Sequence, residues 1–211
     1  MNACVDKLFS KKIPMFIINS ETTKERNLCY VASSYKKSSM LAGELLCAIC
    51  HHTDGKIIVL GGDKEIERHR LFSTGFAAYM QKERPEMDII EVLEFRNEAK
   101  MHRLLSEYVQ KFDDVRAMVS TTARGTLFMC ESVQSLGLSG KVTTIGSDIY
   151  EELLPFLKNK TLSATIYQYP NQQALNGIKV LFNHIALNKT HEKAIELPSS
   201  VVLSSNAEFF I

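Results

Sequence analysis

The chain lacks the charge imbalance and the long basic runs that electrostatic nucleic-acid binders carry. Its 25 lysine and arginine residues are nearly matched by 24 aspartate and glutamate residues, so the net charge is +1. Basic residues cluster no further than pairs such as Lys11-Lys12 and Lys36-Lys37. The composition therefore does not indicate binding to nucleic acid or to a membrane surface through charge alone.

Long apolar runs are also missing. No uninterrupted apolar segment is long enough to span a bilayer, and the segment Cys4-Val5-Asp6-Lys7 interrupts any apolar segment that an export leader would need. The five cysteines are odd in number and lie mostly in apolar helical contexts. Both features predict a cytoplasmic protein with reduced thiols and no membrane association.

The chain has none of the common motifs for cofactor binding or nucleophilic catalysis. It contains no dinucleotide fingerprint, no P-loop and no G-x-S-x-G elbow. Cys47, Cys50 and His51 match the C-x-x-C-H haem pattern, but they fall within an amphipathic helix and no second cluster completes a metal site. His102 and His184 have no evident nucleophile partner. The sequence thus predicts no metal, no cofactor and no enzymatic activity.

What the chain does contain is a regular alternation of strands and helices. Several apolar runs are rich in isoleucine and valine, as expected for parallel strands that are buried on both faces. The predicted strands cover residues 15–18, 56–60, 88–93, 117–120, 142–145, 162–168 and 200–203. The predicted helices cover residues 3–10, 39–52, 65–84, 97–112, 125–136, 150–157 and 171–187. This order predicts an α/β fold with doubly wound parallel sheets.

Polar residues follow the strands of this predicted sheet. Because parallel strands end at a common edge, and open α/β sheets bind ligands there, these residues predict a site for a small polyhydroxylated molecule. They are Asn19, Ser20, Gly61, Gly62, Asp63, Ser120, Thr121, Thr122, Ser147, Asp148 and Gln168.

Two of these groups have local explanations as well. Asp148 can accept hydrogen bonds from neighbouring hydroxyls of a ligand, or Ser147 and Asp148 can cap a helix that starts at Ile149. Gly61-Gly62-Asp63 is more typical of a tight strand-to-helix turn than of a phosphate cradle. Arg70 lies on a charged helical patch, but it can also point toward the ligand.

Five segments, taken in order, resemble those of one protein family. They are Ile13-Pro14, MLAGELL at 40–46, Gly75-Phe76, IGSD at 145–148 and ATIYQYP at 164–170. The set is similar to the effector-binding domain of lactose-repressor (LacI/GalR) family regulators and to the related periplasmic sugar-binding proteins. The C-terminal segment from Leu197 to Asn206 is similar to the regulator branch.

The resemblance implies a periplasmic-binding-protein-like fold of type I, with two doubly wound parallel-sheet lobes. Residues 1–33 and 169–193 would form an incomplete N-terminal lobe, and residues 34–168 and 194–211 the C-terminal lobe. The family's first βαβα segment and its helix-turn-helix would be absent from this chain, so any contact with operator DNA would lie outside it.

The resemblance also implies the ligand contacts. Asp148 matches an aspartate that binds sugar hydroxyls, and Gln168 matches a glutamine at the hinge. The remaining predicted ligand-binding residues are Ser147, Asn19, Ser20, Thr122, Arg70 and Phe72.

The expected function is that of a sensor whose small-molecule effector, a carbohydrate, closes the lobes and changes operator binding, and the expected assembly is a homodimer. Movement would centre on chain crossovers near Ser33, Gln168 and the last strand. A transport-type sugar-binding protein is the alternative. An enzyme that uses the Asp148 edge is a third possibility, although it lacks an identifiable base, metal or nucleophile.

Overall fold

A computed structural model gives the structure of the protein, and it describes residues 2–19, 29–63, 66–92 and 98–211. The chain divides into two compact units that each draw on separate segments. The first unit consists of Met1–Ser34 and Gln168–Ser199, and the second consists of Tyr35–Tyr167 and Ser200–Ile211. The chain therefore passes between the units three times, after Ser34, after Tyr167 and after Ser199.

Helices and strands alternate through the described residues, as the hydrophobic pattern predicts. The helices are α1 (Asn2–Ser10), α2 (Tyr35–Ile49), α3 (Glu67–Glu83), α4 (Glu98–Lys111), α5 (Ala123–Ser135), α6 (Leu154–Lys158) and α7 (Pro170–Leu187). The strands are β1 (Phe16–Ile18), β2 (Cys29–Ser33), β3 (Gly55–Leu60), β4 (Met87–Val92), β5 (Val115–Ser120), β6 (Thr143–Ser147), β7 (Ala164–Tyr167), β8 (Ala194–Leu197) and β9 (Ser200–Val202). Short 3₁₀ turns cover Glu151–Leu153 and Ala207–Phe210. Strands β2 and β8 were not predicted.

The first unit is built on the small sheet, in which β1, β2 and β8 lie side by side and parallel. Because β8 pairs with β2, residues 194–197 belong to this unit, and the predicted boundary at residue 193 is wrong. Helix α7 packs on β1 and β2. It approaches β1 so closely that a Cβ atom at Gly177 would overlap the Phe16 ring, so glycine is needed there.

The second unit is built on the large sheet, with strand order β4-β3-β5-β6-β7-β9. The pairs from β4 to β7 are parallel, and β9 runs antiparallel to β7. Its core joins residues of α2 and α3 to the buried strands; examples are Leu46, Ile57, Phe76, Val119 and Ile145. Continuous burial of the parallel strands explains why their sequences are almost uninterrupted apolar runs.

This topology brings the ends of the five parallel strands, β3 to β7, to one side of the large sheet, which we call the carboxyl edge. Leu60 lies beside Ser120, Val119 beside Ile145, and Ser147 beside Ile166. The segments that follow β3, β5 and β6 therefore leave the sheet next to one another. Within the described ranges, no helix is long and apolar enough to cross a membrane.

Candidate functional site

Asp148 is presented by a constrained backbone directly after β6. Its φ angle is 59°, in the left-handed region that few residues other than glycine, asparagine and aspartate adopt readily. Its N–H donates to the Ile166 carbonyl at 2.8 Å, and its carbonyl accepts from the Thr165 hydroxyl at 2.6 Å. Two bonds to β7 thus fix the direction in which the half-buried Asp148 side chain leaves the sheet.

Helix capping does not explain Ser147 and Asp148. The turn that follows them begins at Glu151, its N-cap residue is Tyr150, and no side chain caps it. Ser147 is instead the last residue of β6 and is only 2% exposed. The local alternative for this pair is therefore not supported, and the position of Asp148 at the carboxyl edge needs another explanation.

The Thr126 hydroxyl of α5 connects the ends of β5 and β6. It accepts the Ser147 N–H at 2.8 Å and donates to the Thr122 carbonyl at 2.9 Å. Gly146 makes this contact possible, because a Cβ atom at that position would collide with the Thr126 methyl group. The close packing of α5 on β6 therefore holds the backbone beneath Asp148 in place.

Thr122 has a structural role at the same edge. It is the N-cap residue of α5, and its Oγ1 accepts the Gly125 N–H at 3.0 Å. A threonine cap of this kind stabilises a helix by about 1 kcal/mol. Capping thus accounts for Thr122 without a ligand, and its predicted contact with a ligand stays a prediction.

His69, which is not among the predicted ligand-binding residues, lies at the start of α3 beneath the turn that follows β3. The Asp63 N–H donates to its Nδ1 at 3.0 Å, and Gly62 adopts a φ of 75° beside the ring. Burial, assisted by the charge of Arg68, lowers the pKa of His69 below its ordinary value of 6.5. Since Nδ1 accepts a hydrogen bond, the neutral ring carries its proton on Nε2. The close approach of Gly62 to the ring thus lets the turn cover the histidine, in line with the preference for a tight turn.

Of the two predicted ligand-binding residues on α3, Phe72 is buried and Arg70 is exposed. Phe72 packs in the core of the second unit and is only 4% exposed. The helical register places Phe72 on the same buried face as Phe76, and its predicted contact with a ligand stays a prediction. Arg70 is exposed, with its guanidinium 3.8 Å from the Glu67 carboxylate.

Two of the ligand-binding residues predicted for the first unit, Asn19 and Gln168, make backbone hydrogen bonds within that unit. Asn19 follows β1 with a φ of 61°, and its N–H donates to the Val31 carbonyl at 3.0 Å. The Gln168 carbonyl accepts from the Ser33 hydroxyl at 2.8 Å and from the Gln173 amide at 2.9 Å. Ser20 lies outside the described residues. The binding roles of Asn19 and Gln168 stay predictions.

Metal-binding chemistry is not evident in the described part of the chain. No group of three or more histidine, cysteine, aspartate or glutamate side chains there is arranged to hold a metal ion. All five cysteines lie within the described residues and none forms a disulfide. In the C-x-x-C-H segment, Cys50 is buried in the core, and Cys47 lies 4.0 Å from the sulfur of Met80.

A family comparison identifies the fold that this geometry builds. The model of the periplasmic binding protein domain family matches residues 1–190. The chain belongs to the periplasmic binding protein domain family. This confirms the predicted α/β fold class. No curated protein matches the chain.

Solved structures share this fold at low sequence identity. One is an ABC transporter solute-binding protein from Agrobacterium vitis bound with α-D-tagatopyranose, with a TM-score of 0.90, 18% identity, and coverage of 98% of this chain and 74% of that one. A sugar-binding protein of a sugar ABC transporter from Bacillus halodurans has a TM-score of 0.88, 16% identity, and coverage of 99% and 75%. A putative LacI transcriptional regulator from Bacteroides fragilis has a TM-score of 0.85, 22% identity, and coverage of 100% and 73%. The chain therefore spans about three quarters of the length of these proteins.

Proposed function

We propose that the chain is a sugar-binding domain that recognises its ligand at the carboxyl edge of the large sheet. The observation that carries this proposal is the geometry of Asp148. Its backbone is fixed in the left-handed region by bonds to Ile166 and Thr165, and no capping role accounts for it. An aspartate kept at a strand end at some conformational cost is typical of a functional position.

The chemistry of this edge suits a polyhydroxylated ligand. An ionised carboxylate accepts hydrogen bonds from two neighbouring hydroxyls, and such charge-assisted bonds are about twice as strong as neutral ones. Structural neighbours were solved with α-D-tagatopyranose, D-fucose and D-arabinose, which supports a sugar as the ligand class. The amide side chains of Asn19 and Gln168 offer hydrogen bonds of the kind that sugars accept and donate, and their binding roles stay predictions.

Of the two biological settings, a transport-type solute-binding protein receives more support from the comparisons than a transcription regulator. Most of the solved neighbours are described as transport or sugar-binding proteins. The regulator remains the second candidate because a putative LacI regulator matches across the whole chain and because the segment from Leu197 to Asn206 resembles that branch. The expected homodimer and the cytoplasmic location belong to the regulator setting.

Calorimetric titration tests the binding proposal. The purified chain would be titrated with D-tagatose, D-fucose, D-arabinose and myo-inositol, and we expect saturable binding to at least one of them. Asp148→Asn should weaken that binding, whereas Asp113→Asn, at an exposed aspartate before β5 and away from the carboxyl edge, should not. Absence of binding to all four compounds would refute the proposal, and chemical turnover of any of them would replace binding with catalysis.

The setting can be tested separately by reading the gene upstream of this segment. A helix-turn-helix would support a regulator, in which the effector acts through its differential affinity for two conformations. An export leader would support the transport-type protein. Either result leaves the sugar-binding proposal itself intact.

A further inference from the structure

Several buried polar atoms at the start of α3 lack a hydrogen-bond partner within the described part of the chain, namely Arg68 Nε, His69 Nε2 and Ser73 Oγ. Among the described residues, His69 Nε2 and Ser73 Oγ are both buried and both lack a partner. A buried donor that loses its hydrogen bond to water costs about 1–3 kcal/mol, so such atoms are rare unless a ligand or a bound water completes them. Two such atoms one helical turn apart therefore require an explanation.

His69 is the better defined of the two because its ring orientation is fixed. The residue is only 8% exposed, and its Nδ1 accepts the Asp63 N–H at 3.0 Å. The ring consequently lies beneath the turn after β3, at the carboxyl edge, and the unpartnered Nε2–H projects from the opposite side of the ring. The turn that covers His69 thus dictates which ring nitrogen is left to donate.

Ser73 lies four residues further along the same helix, so its side chain is next to that of His69 on the helix surface. A helical serine often donates to the carbonyl four residues earlier, but the Ser73 hydroxyl does not. The hydroxyl is therefore available both to donate and to accept. Together the two side chains offer one fixed donor and one adaptable hydroxyl.

We propose that His69 Nε2–H and Ser73 Oγ form a polar subsite that binds one oxygen of the sugar, which makes His69 a specificity-determining residue. The inference rests on the proposed sugar-binding function and adds to it a contact on α3 that lies outside the predicted ligand set. Asp148 supplies an acceptor for ligand hydroxyl protons, whereas the subsite supplies a donor for a ligand oxygen.

The electrostatics of the subsite fit a neutral oxygen. Burial lowers the pKa of His69, so the ring is uncharged at neutral pH. An uncharged imidazole donor suits a hydroxyl or ring oxygen, and one neutral hydrogen bond of this kind changes affinity by about 3- to 10-fold.

Matched substitutions separate the two ring nitrogens. In His69→Asn the side-chain oxygen takes the place of Nδ1 and can still accept the Asp63 N–H, while the donor at the Nε2 position is lost. His69→Gln reaches further and returns an N–H close to that position. For a sugar that binds the wild-type chain in calorimetry, we expect about 3- to 10-fold weaker binding to His69→Asn and partial recovery in His69→Gln. His52→Asn, at an exposed histidine after α2, is the control and should bind as the wild type does.

If a variant does not fold, a spectroscopic measurement on the wild-type chain tests whether His69 Nε2–H contacts the sugar. In protein labelled with ¹⁵N-histidine, the His69 ring should show the Nε2-protonated form, and its Nε2–H signal should shift when the sugar saturates the site. Unchanged affinity of folded His69→Asn, or an unchanged Nε2–H signal at saturation, would overturn the subsite while leaving sugar binding in place. If the wild type binds none of D-tagatose, D-fucose, D-arabinose and myo-inositol, the proposed function and the subsite fail together.

Discussion

Replacing Asp148 should separate folding from binding. The residue adopts a φ of 59°, which costs an ordinary L-residue about 1–2 kcal/mol and aspartate or asparagine less. In Asp148→Gly this cost disappears, but glycine loses about 0.5–1 kcal/mol more backbone entropy on folding. The two effects nearly cancel, so the change in backbone conformational preference alone should alter the free energy of unfolding by less than about 1 kcal/mol. Asp148→Asn should be equally stable, since asparagine tolerates the same backbone conformation.

Sugar affinity, in contrast to stability, should fall strongly in both Asp148 variants. Asp148→Asn keeps one acceptor oxygen but loses the charge and the second acceptor, which corresponds to about 1.5–3 kcal/mol. The dissociation constant should therefore rise by about 10- to 150-fold, and Asp148→Gly should lose still more affinity.

The assay combines urea denaturation with calorimetric titration, and Asp113→Asn serves as the control for both. A loss of more than about 2 kcal/mol of stability in Asp148→Gly, together with unchanged sugar affinity in Asp148→Asn, would show that Asp148 serves the fold and not a ligand. That result would refute the reasoning from backbone geometry to function.

Three further predictions concern packing, pH and assembly. Gly177→Val should lower the free energy of unfolding by about 1–3 kcal/mol because its side chain would overlap the Phe16 ring, and an unchanged urea midpoint would contradict the packing. Since burial lowers the pKa of His69, the stability it contributes should be present above its ordinary value of 6.5 and decline as the pH falls through the folded-state value. In His69→Asn the urea midpoint should fall less between pH 7 and pH 5 than it does in the wild type. Equal falls in the two proteins would contradict this role of His69. The chain should self-associate through the apolar face of α7, where Ile178 and Phe182 are 58% and 59% exposed. Light scattering should show that substituting both residues by lysine gives a monomer. A wild type that is monomeric at all concentrations would contradict the prediction.

The strands of the large sheet could be predicted because burial on both faces leaves a clear mark in the sequence. β3 and β5 each contain a short run of buried apolar residues, and the pattern placed both strands to within two residues. β2 and β8 were missed for different reasons. β2 is a five-residue strand next to a polar segment, and β8 is an edge strand whose exposed and half-buried residues alternate. Pairing of β8 with β2 is a long-range contact, so the boundary near residue 193 could not be read from local pattern.

The candidate site was predictable in its chemistry but not in its geometry. The position of Asp148 after a buried strand predicted a functional carboxylate, yet its left-handed backbone and its bonds to β7 depend on pairing across the sheet. His69 was overlooked because its significance comes from the turn at Asp63 folding back over the ring. The expectation for Phe72 gave no weight to the helical register that turns its ring into the core.

The most direct test of the central claim is to map the bound sugar by amide chemical-shift changes in ¹⁵N-labelled protein. Our account predicts that the largest changes on saturation fall at the carboxyl edge of the large sheet, at Asp148, Ser147 and Thr122. Changes confined to the opposite edge, around Lys56 and Asp114, or no changes with any of the four compounds, would contradict it.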